Sequence, residues 1–429
     1  MTREGIIHMI DKALLEIQDN IRYNPDRWNE IKHKAAGLNS HFQEVIDNKR
    51  RSKDRIIHFA AFVSNDAMYG MDAVFSLMMA RDDRWDCKVV IIPDVSRGYP
   101  HQRDTYIRCR EYFATHYGDD YVVDGWDMEA DEYIDVIDDY DIIYFANPYD
   151  SMAVEVHSIQ YAVTRNVLPV YVNYGYDVGY KTMYARMKGP ELNYVWKYFT
   201  ETIYSYEEIR KLQIINGANV SLTGYTKMDA YSRVNGKAKS RKKILIASHH
   251  TVKMDELPLS CFMMYNELIL SLPKMFPDID FVFRPHPLLF IRMINDNVWT
   301  KNMVDDYLSK IKKAGIEYSN GGEYFNLFSE CDAIINDCGS FTLEWLFTGK
   351  PGCFVLNDKL SDEHITTQMK EGIKRYSIAH TNDDIVAFIR DIDADNYSKK
   401  QEMDEWVRNN IAINYPNAAN VILEEMDII

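Results

Sequence analysis

A chain of 429 residues, 46% hydrophobic and 27% charged, is too long for one core and suits two globular domains of about 200 residues each. A formal net charge of −16, from 65 acidic and 49 basic side chains, argues against nucleic acid as a partner, because that affinity comes mainly from neutralising phosphates. Six cysteines without paired metal spacing read as reduced core residues, and no apolar stretch reaches the ~18 residues of a membrane span.

Residues 1–50 read as helix, with Ile6, Ile7, Ile10, Leu14 and Ile17 at helical spacing. The acidic N-terminus lacks the apolar run of a signal peptide, so a cytoplasmic protein is expected. The basic cluster Asn48-Lys49-Arg50-Arg51-Ser52-Lys53 reads as a solvated linker, with a weak contact to the inner face of a membrane as the alternative. Strands are predicted over 56–63, 87–93, 121–123, 141–146 and 168–173, separated by helices over 69–80, 103–116, 132–138 and 154–165. This alternation means βαβ units and a parallel sheet. The polar, basic stretch 235–243 is the best linker.

A second alternation follows: strands over 244–247, 280–283, 316–318, 333–335 and 352–356, and helices over 261–272, 305–314, 323–329, 341–348 and 383–392. The tail from 399 is helical with an interruption at Asn414-Tyr415-Pro416. The pattern gives an α/β protein: a helical extension over 1–55, doubly wound Rossmann-like domains over 56–235 and 241–398 facing one cleft, and a C-terminal helix over 399–429 that packs back on the first domain. Ligands in such sheets bind beyond the carboxyl ends of the strands.

Two segments carry the chemistry. In FVFRPHPLL (281–289) a strand ends in Arg284 and His286. In CDAIINDCGSFTLEW (331–345) Ile334-Ile335 is followed by Asn336-Asp337-Cys338-Gly339-Ser340 and a helix start. Ser340 and Thr342 in a first helical turn, with free N–H groups and the positive dipole end, form an anion cradle. Arg284 and His286 bring cationic donors to the same anion, making a diphosphate clamp. Taken singly, each piece has a plainer reading, since strand–turn–helix is ordinary in α/β proteins and Pro285 and Pro287 end a strand. His249-His250 lies past the first strand of this half. Adjacent histidines point to different sides of a chain, so one is expected to face the ligand as phosphate donor or base and the other to be structural. No metal site and no cofactor are expected.

On three motifs the sequence resembles the CDP-glycerol glycerophosphotransferases, which build teichoic acids and related capsule polymers. They are Gly224-Tyr225-Thr226-Lys227-Met228-Asp229, Arg284-Pro285-His286-Pro287, and Asp337-Cys338-Gly339-Ser340 followed by an acidic residue, Glu344, in the helix. The resemblance implies a GT-B arrangement and transfer of an alditol phosphate from a CDP-alditol to a polysaccharide or lipid-linked glycan. It assigns His286 to the departing diphosphate with Arg284 in support. Gly339, Ser340 and Thr342 are then donors, Glu344 a polyol ligand, and Gly224 and Lys227 neighbours of the nucleotide. The sequence departs from the family at its late His-Gly element, which stands here as Tyr174-Gly175 in the run Asn173–Asp177. Tyr174, titrating near ~10 when unperturbed, is a poor base at neutral pH, and Asp177 is the nearest carboxylate that substitutes.

Overall fold

The computed structural model describes residues 24–52, 55–234, 241–322, 324–397 and 400–427. The described residues of Met1–Gly175, Thr182–Lys227 and Asn417–Ile429 form one compact unit, and those of Tyr176–Lys181 and Met228–Pro416 form a second. Residues 1–23 of the helix expected over 1–50, with its isoleucine stripe, and most of the expected linker, 235–240, lie outside the described residues.

The first unit is a seven-stranded sheet of β1 (Ile57–Val63), β2 (Trp85–Ile91), β3 (Val122–Asp124), β6 (Ile142–Phe145), β7 (Leu168–Val172), β8 (Lys197–Thr200) and β9 (Val220–Leu222). The strand order is β3-β2-β1-β6-β7-β8-β9, parallel throughout. A short antiparallel hairpin, β4 (Trp126–Asp127) and β5 (Glu132–Tyr133), stands beside it. Every residue of β6 and β7 is buried, as continuous apolar runs must be when helices cover both faces.

Two expected helices are not there. The stretch 132–138 is β5 followed by the 3-10 turn Ile137–Asp139. The Asp127 carboxylate accepts the N–H groups of Glu129 and Ala130, and Asp131 sits at φ 56°, which turns the chain into a hairpin. The stretch 154–165 holds only the 3-10 turn Glu155–His157 and the four-residue helix Ile159–Ala162. Ser158 caps that helix through Tyr161 N–H, and Asp150 takes the N–H groups of Ile159 and Gln160, so the backbone is satisfied by side chains where a longer helix would run.

A long helix, Pro25–Arg51, precedes the first sheet and buries Ile31, Leu38, Phe42 and Ile46. Asn24 caps it at Asp26 N–H, with proline at its first position. In the basic cluster at its end, Lys49 pairs with Asp141 at 2.9 Å and Arg51 donates to Asn48. Among the described residues no helix is long and apolar enough to cross a membrane.

The second unit is a six-stranded parallel sheet of β10 (Lys242–Ala247), β11 (Ile279–Phe283), β12 (Glu317–Tyr318), β13 (Ala333–Asn336), β14 (Gly352–Val355) and β15 (Ser377–Ala379). Its order, β12-β11-β10-β13-β14-β15, is that of a doubly wound dinucleotide-type sheet, whose topological switch point lies between β10 and β13. The segment Tyr176–Lys181 belongs to this unit because its backbone is tied there: Thr366 N–H donates to Val178 O, and Tyr180 N–H to His364 O. The tail divides. Helix Lys400–Asn410 belongs to the second unit, while helix Ala418–Met426 sinks Ala419, Ile422, Leu423 and Met426 into the core of the first. All six cysteines are buried as thiols, outside any disulfide.

Candidate functional site

β10 is the central strand at the switch point, flanked by β11 and β13, and the residues that follow all three strands meet. The parallel ladder runs past the strand ends: Arg284 N–H donates to Ile246 O and His286 N–H to Ser248 O, both at 2.8 Å. On the other side Asp337 N–H reaches Ala247 O. Register alone therefore sets His286 and Asp337 beside His249 and His250.

The three histidine rings form one cluster. Ring centroids lie 4.3 Å apart for His249–His250, 4.2 Å for His250–His286 and 5.4 Å for His249–His286. The expectation that the adjacent pair points to opposite sides is thus not met. Alternation belongs to pleated strand, and β10 ends at Ala247, so these residues turn with the loop. Burial holds all three rings neutral: His250 is pushed down to about 3 and His286 to about 4, and His249 lies well below its ordinary value. For His249 and His250 the neighbouring rings add to burial, and Arg292 adds a further push on His250.

Behind the rings Asp337, fully buried, accepts His249 N–H at 2.5 Å, Cys261 N–H at 2.6 Å and Tyr265 OH at 3.2 Å. Burial nevertheless raises its carboxyl to about 7. Tyr265 OH is also 2.7 Å from Ser248 Oγ, closing the ring of contacts. Asp337 was legible only as part of a motif; its role as the group that fixes the His249 loop needed three distant elements to be brought together.

The remaining expected site residues divide. Gly339 is at the cluster: a Cβ there would stand 3.6 Å from His249 Nε2 and 3.1 Å from Val178 Cγ2. Ser340 Oγ donates to Tyr176 O at 3.5 Å. Thr342 and Glu344 face inward. The Thr342 hydroxyl contacts Cys338 O at 2.6 Å and Asn336 Oδ1 at 2.8 Å, and Glu344 accepts Tyr324 OH at 2.7 Å with 1% of its surface exposed. The helix itself, Ser340–Glu344, has five residues before it tightens into the 3-10 turn Trp345–Thr348, too short for the dipole-based cradle. Arg284 is 7% exposed and binds its own surroundings, donating to Ser319 Oγ at 2.7 Å and Gly322 O at 2.8 Å across the ring of Tyr324.

Asp177 lies in the segment held by the second unit, its carbonyl accepting from Thr366 Oγ1 and Gln368 Nε2. Tyr174, Gly224 and Lys227 belong to the first unit. There Tyr174 O accepts Tyr225 OH at 3.4 Å, and Gly224, at φ 96°, donates its N–H to Thr200 O. Asn173 is consumed by a buried network, donating to Glu201 and accepting from Tyr198 OH.

No protein-family model matches this sequence, and neither does any curated protein sequence. Solved structures do match its fold. The wall teichoic acid polymerase TagF soaked with CDPG superposes with a TM-score of 0.56 at 12% identity, over 94% of this chain and 98% of that one. The UDP-GlcNAc 2-epimerase of Neisseria meningitidis bound to UDP-GlcNAc gives 0.53 at 14%, over 86% and 99%. The S. aureus MnaA–UDP co-structure gives 0.53 at 13%, over 86% and 96%. The chain shares with these proteins a GT-B-like α/β fold, built here from two parallel sheets with a helix ahead of the first.

Proposed function

We propose that the chain is a phosphotransferase that takes a CDP-alditol, glycerol first, and moves the alditol phosphate to a hydroxyl of a cell-surface glycan or teichoic-acid-like acceptor, releasing CMP. The observation that carries this reading is the convergence of His249, His250 and His286 beyond β10 and β11, at the switch point where such sheets take their ligands. The Arg284-Pro285-His286-Pro287 motif and the fold shared with a teichoic acid polymerase support it.

In this transfer the acceptor oxygen attacks the alditol-side phosphorus. A new O–P bond forms as the bridging P–O bond breaks, CMP leaves with the electron pair, and the acceptor proton passes to a base. Little covalent participation is asked of the protein; fixed donors around the leaving charge do most of the work. His286 and its neighbours are those donors. Arg284 acts through the 319–322 loop it holds. Asp177 is the proposed base, because it lies next to Val178, which packs on Gly339 in front of His249. The acceptor's lipid carrier would bring the protein to a membrane surface without a span of its own.

A second reading, a nucleotide-sugar enzyme of the epimerase or glycosyltransferase kind, draws on the epimerase neighbours. Purified protein incubated with CDP-glycerol, CDP-ribitol, UDP-sugars and GDP-sugars separates the two. CMP release with a new phosphodiester supports the transferase. An epimerised UDP-sugar, or UDP or GDP released with a glycosidic bond, replaces it with the second reading. No turnover of any donor leaves a non-catalytic nucleotide-binding subunit.

A further inference from the structure

The spacing of the three histidines, with one nitrogen from each within 4.8 Å of the others, suits a metal ion as well as an anion. The hydrogen bonds decide between them. Thr251 Oγ1 accepts the N–H groups of Leu259 and Ser260, so its own proton is donated to His249 Nδ1, 2.9 Å away. Leu288 N–H donates to His286 Nδ1 at 3.1 Å. Both rings, neutral, therefore carry their proton on Nε2 and present an N–H donor rather than a lone pair. A metal needs lone pairs, so His249 and His286 are set for an anion.

His250, the middle ring, differs. Its Nδ1 is buried and has no hydrogen-bond partner among the described residues, so no protein contact fixes which of its nitrogens carries the proton. The charged and titratable groups acting on it are His286 from the end of β11 and Arg292 from helix Leu289–Asn295, and its ring also touches that of His249; all are basic. The buried acid of the cluster, Asp337, has its oxygens turned to the His249 and Cys261 amides and to Tyr265.

We infer that the site binds its diphosphate together with one proton, taken up by His250. This rests on the nucleotide reading above and adds the proton. Empty, the ring is held neutral by burial and by His286 and Arg292, down to about 3. A diphosphate diester brings two negative charges into the same dry surroundings, and attraction at a few ångströms reverses that balance. The ligand then meets two fixed N–H donors and one cation it has itself induced, and the empty site avoids confining a buried charge.

The test is calorimetric binding of CDP-glycerol and of UDP-GlcNAc to the whole protein near pH 6 and pH 8, each in two buffers of different ionisation enthalpy. Neither ligand's diphosphate diester titrates in this range, so any proton taken up belongs to the protein. The expected result is close to one proton per ligand at the lower pH, with affinity weakening up to tenfold per pH unit above it. His250→Gln should lose the uptake and the pH slope. Binding with no proton uptake overturns the inference and leaves the nucleotide reading standing. Binding of neither ligand overturns both. One equivalent of zinc retained by the protein after dialysis, and lost in His250→Gln, overturns it in favour of a cation site.

Discussion

Asp337 Oδ1 accepts the backbone N–H of His249 at 2.5 Å, and through that contact a residue following β13 sets the loop that follows β10. Three donors favour the charged carboxylate and complete burial favours the neutral acid; burial prevails and raises Asp337 to about 7. A carboxyl raised in the fold gives stability that is present below its unfolded value, near ~4, and is lost as pH climbs through the folded value. Asp337→Asn removes that dependence. Urea midpoints from pH 4 to 8 should show the variant's deficit largest at the acid end, shrinking by up to about 1 kcal/mol per pH unit and levelling near pH 7. A deficit that does not change with pH would show that Asp337 stays charged.

The histidines titrate with the opposite sign. His250 and His286 are depressed in the fold, to about 3 and about 4, so their contribution is complete above the unfolded value of ~6.5 and is lost as pH falls from there toward 4. His250→Gln and His286→Gln should each remove close to one proton from the pH dependence of unfolding in that window. The measurement is the slope of unfolding free energy against pH, wild type against variant.

Tyr324→Phe tests the inward position of Glu344. Loss of the 2.7 Å bond leaves a carboxylate of 1% exposure short of a donor, and about 1–3 kcal/mol of stability is expected to go with it. Nucleotide affinity should not change. If affinity falls and stability holds, Glu344 belongs to the ligand after all.

Arg284→Lys keeps the charge and loses the two-pronged hold on Ser319 and Gly322. Expected is a loss of about 1–3 kcal/mol in thermal or urea unfolding, the size of a charge-assisted hydrogen bond with its desolvation cost. Any fall in nucleotide affinity should be smaller than that caused by His286→Ala.

Sequence periodicity was enough for two parallel sheets, because strands covered on both faces carry continuous apolar runs such as Ile142–Phe145 and Ala333-Ile334-Ile335. It failed at 132–138 and 154–165, where Asp127, Ser158 and Asp150 satisfy the backbone locally and hydrophobic spacing carries no trace of that competition. The donor motifs were legible as residues at strand ends. Their orientation was not: Thr342 and Glu344 turn inward, Arg284 is spent on its own loop, and the two adjacent histidines share one cluster.

What the sequence by itself determined is the alternation of strand and helix and the identity of the polar residues beyond the strands, since both follow from local patterning. Only the tertiary structure decided which of those residues meet. The register of β10 with β11 and β13 brings His249, His250, His286 and Asp337 together from positions up to 88 residues apart, and burial there leaves three histidines neutral and one carboxyl raised. Register and burial are properties of strands paired at a distance, and no local window of sequence contains them.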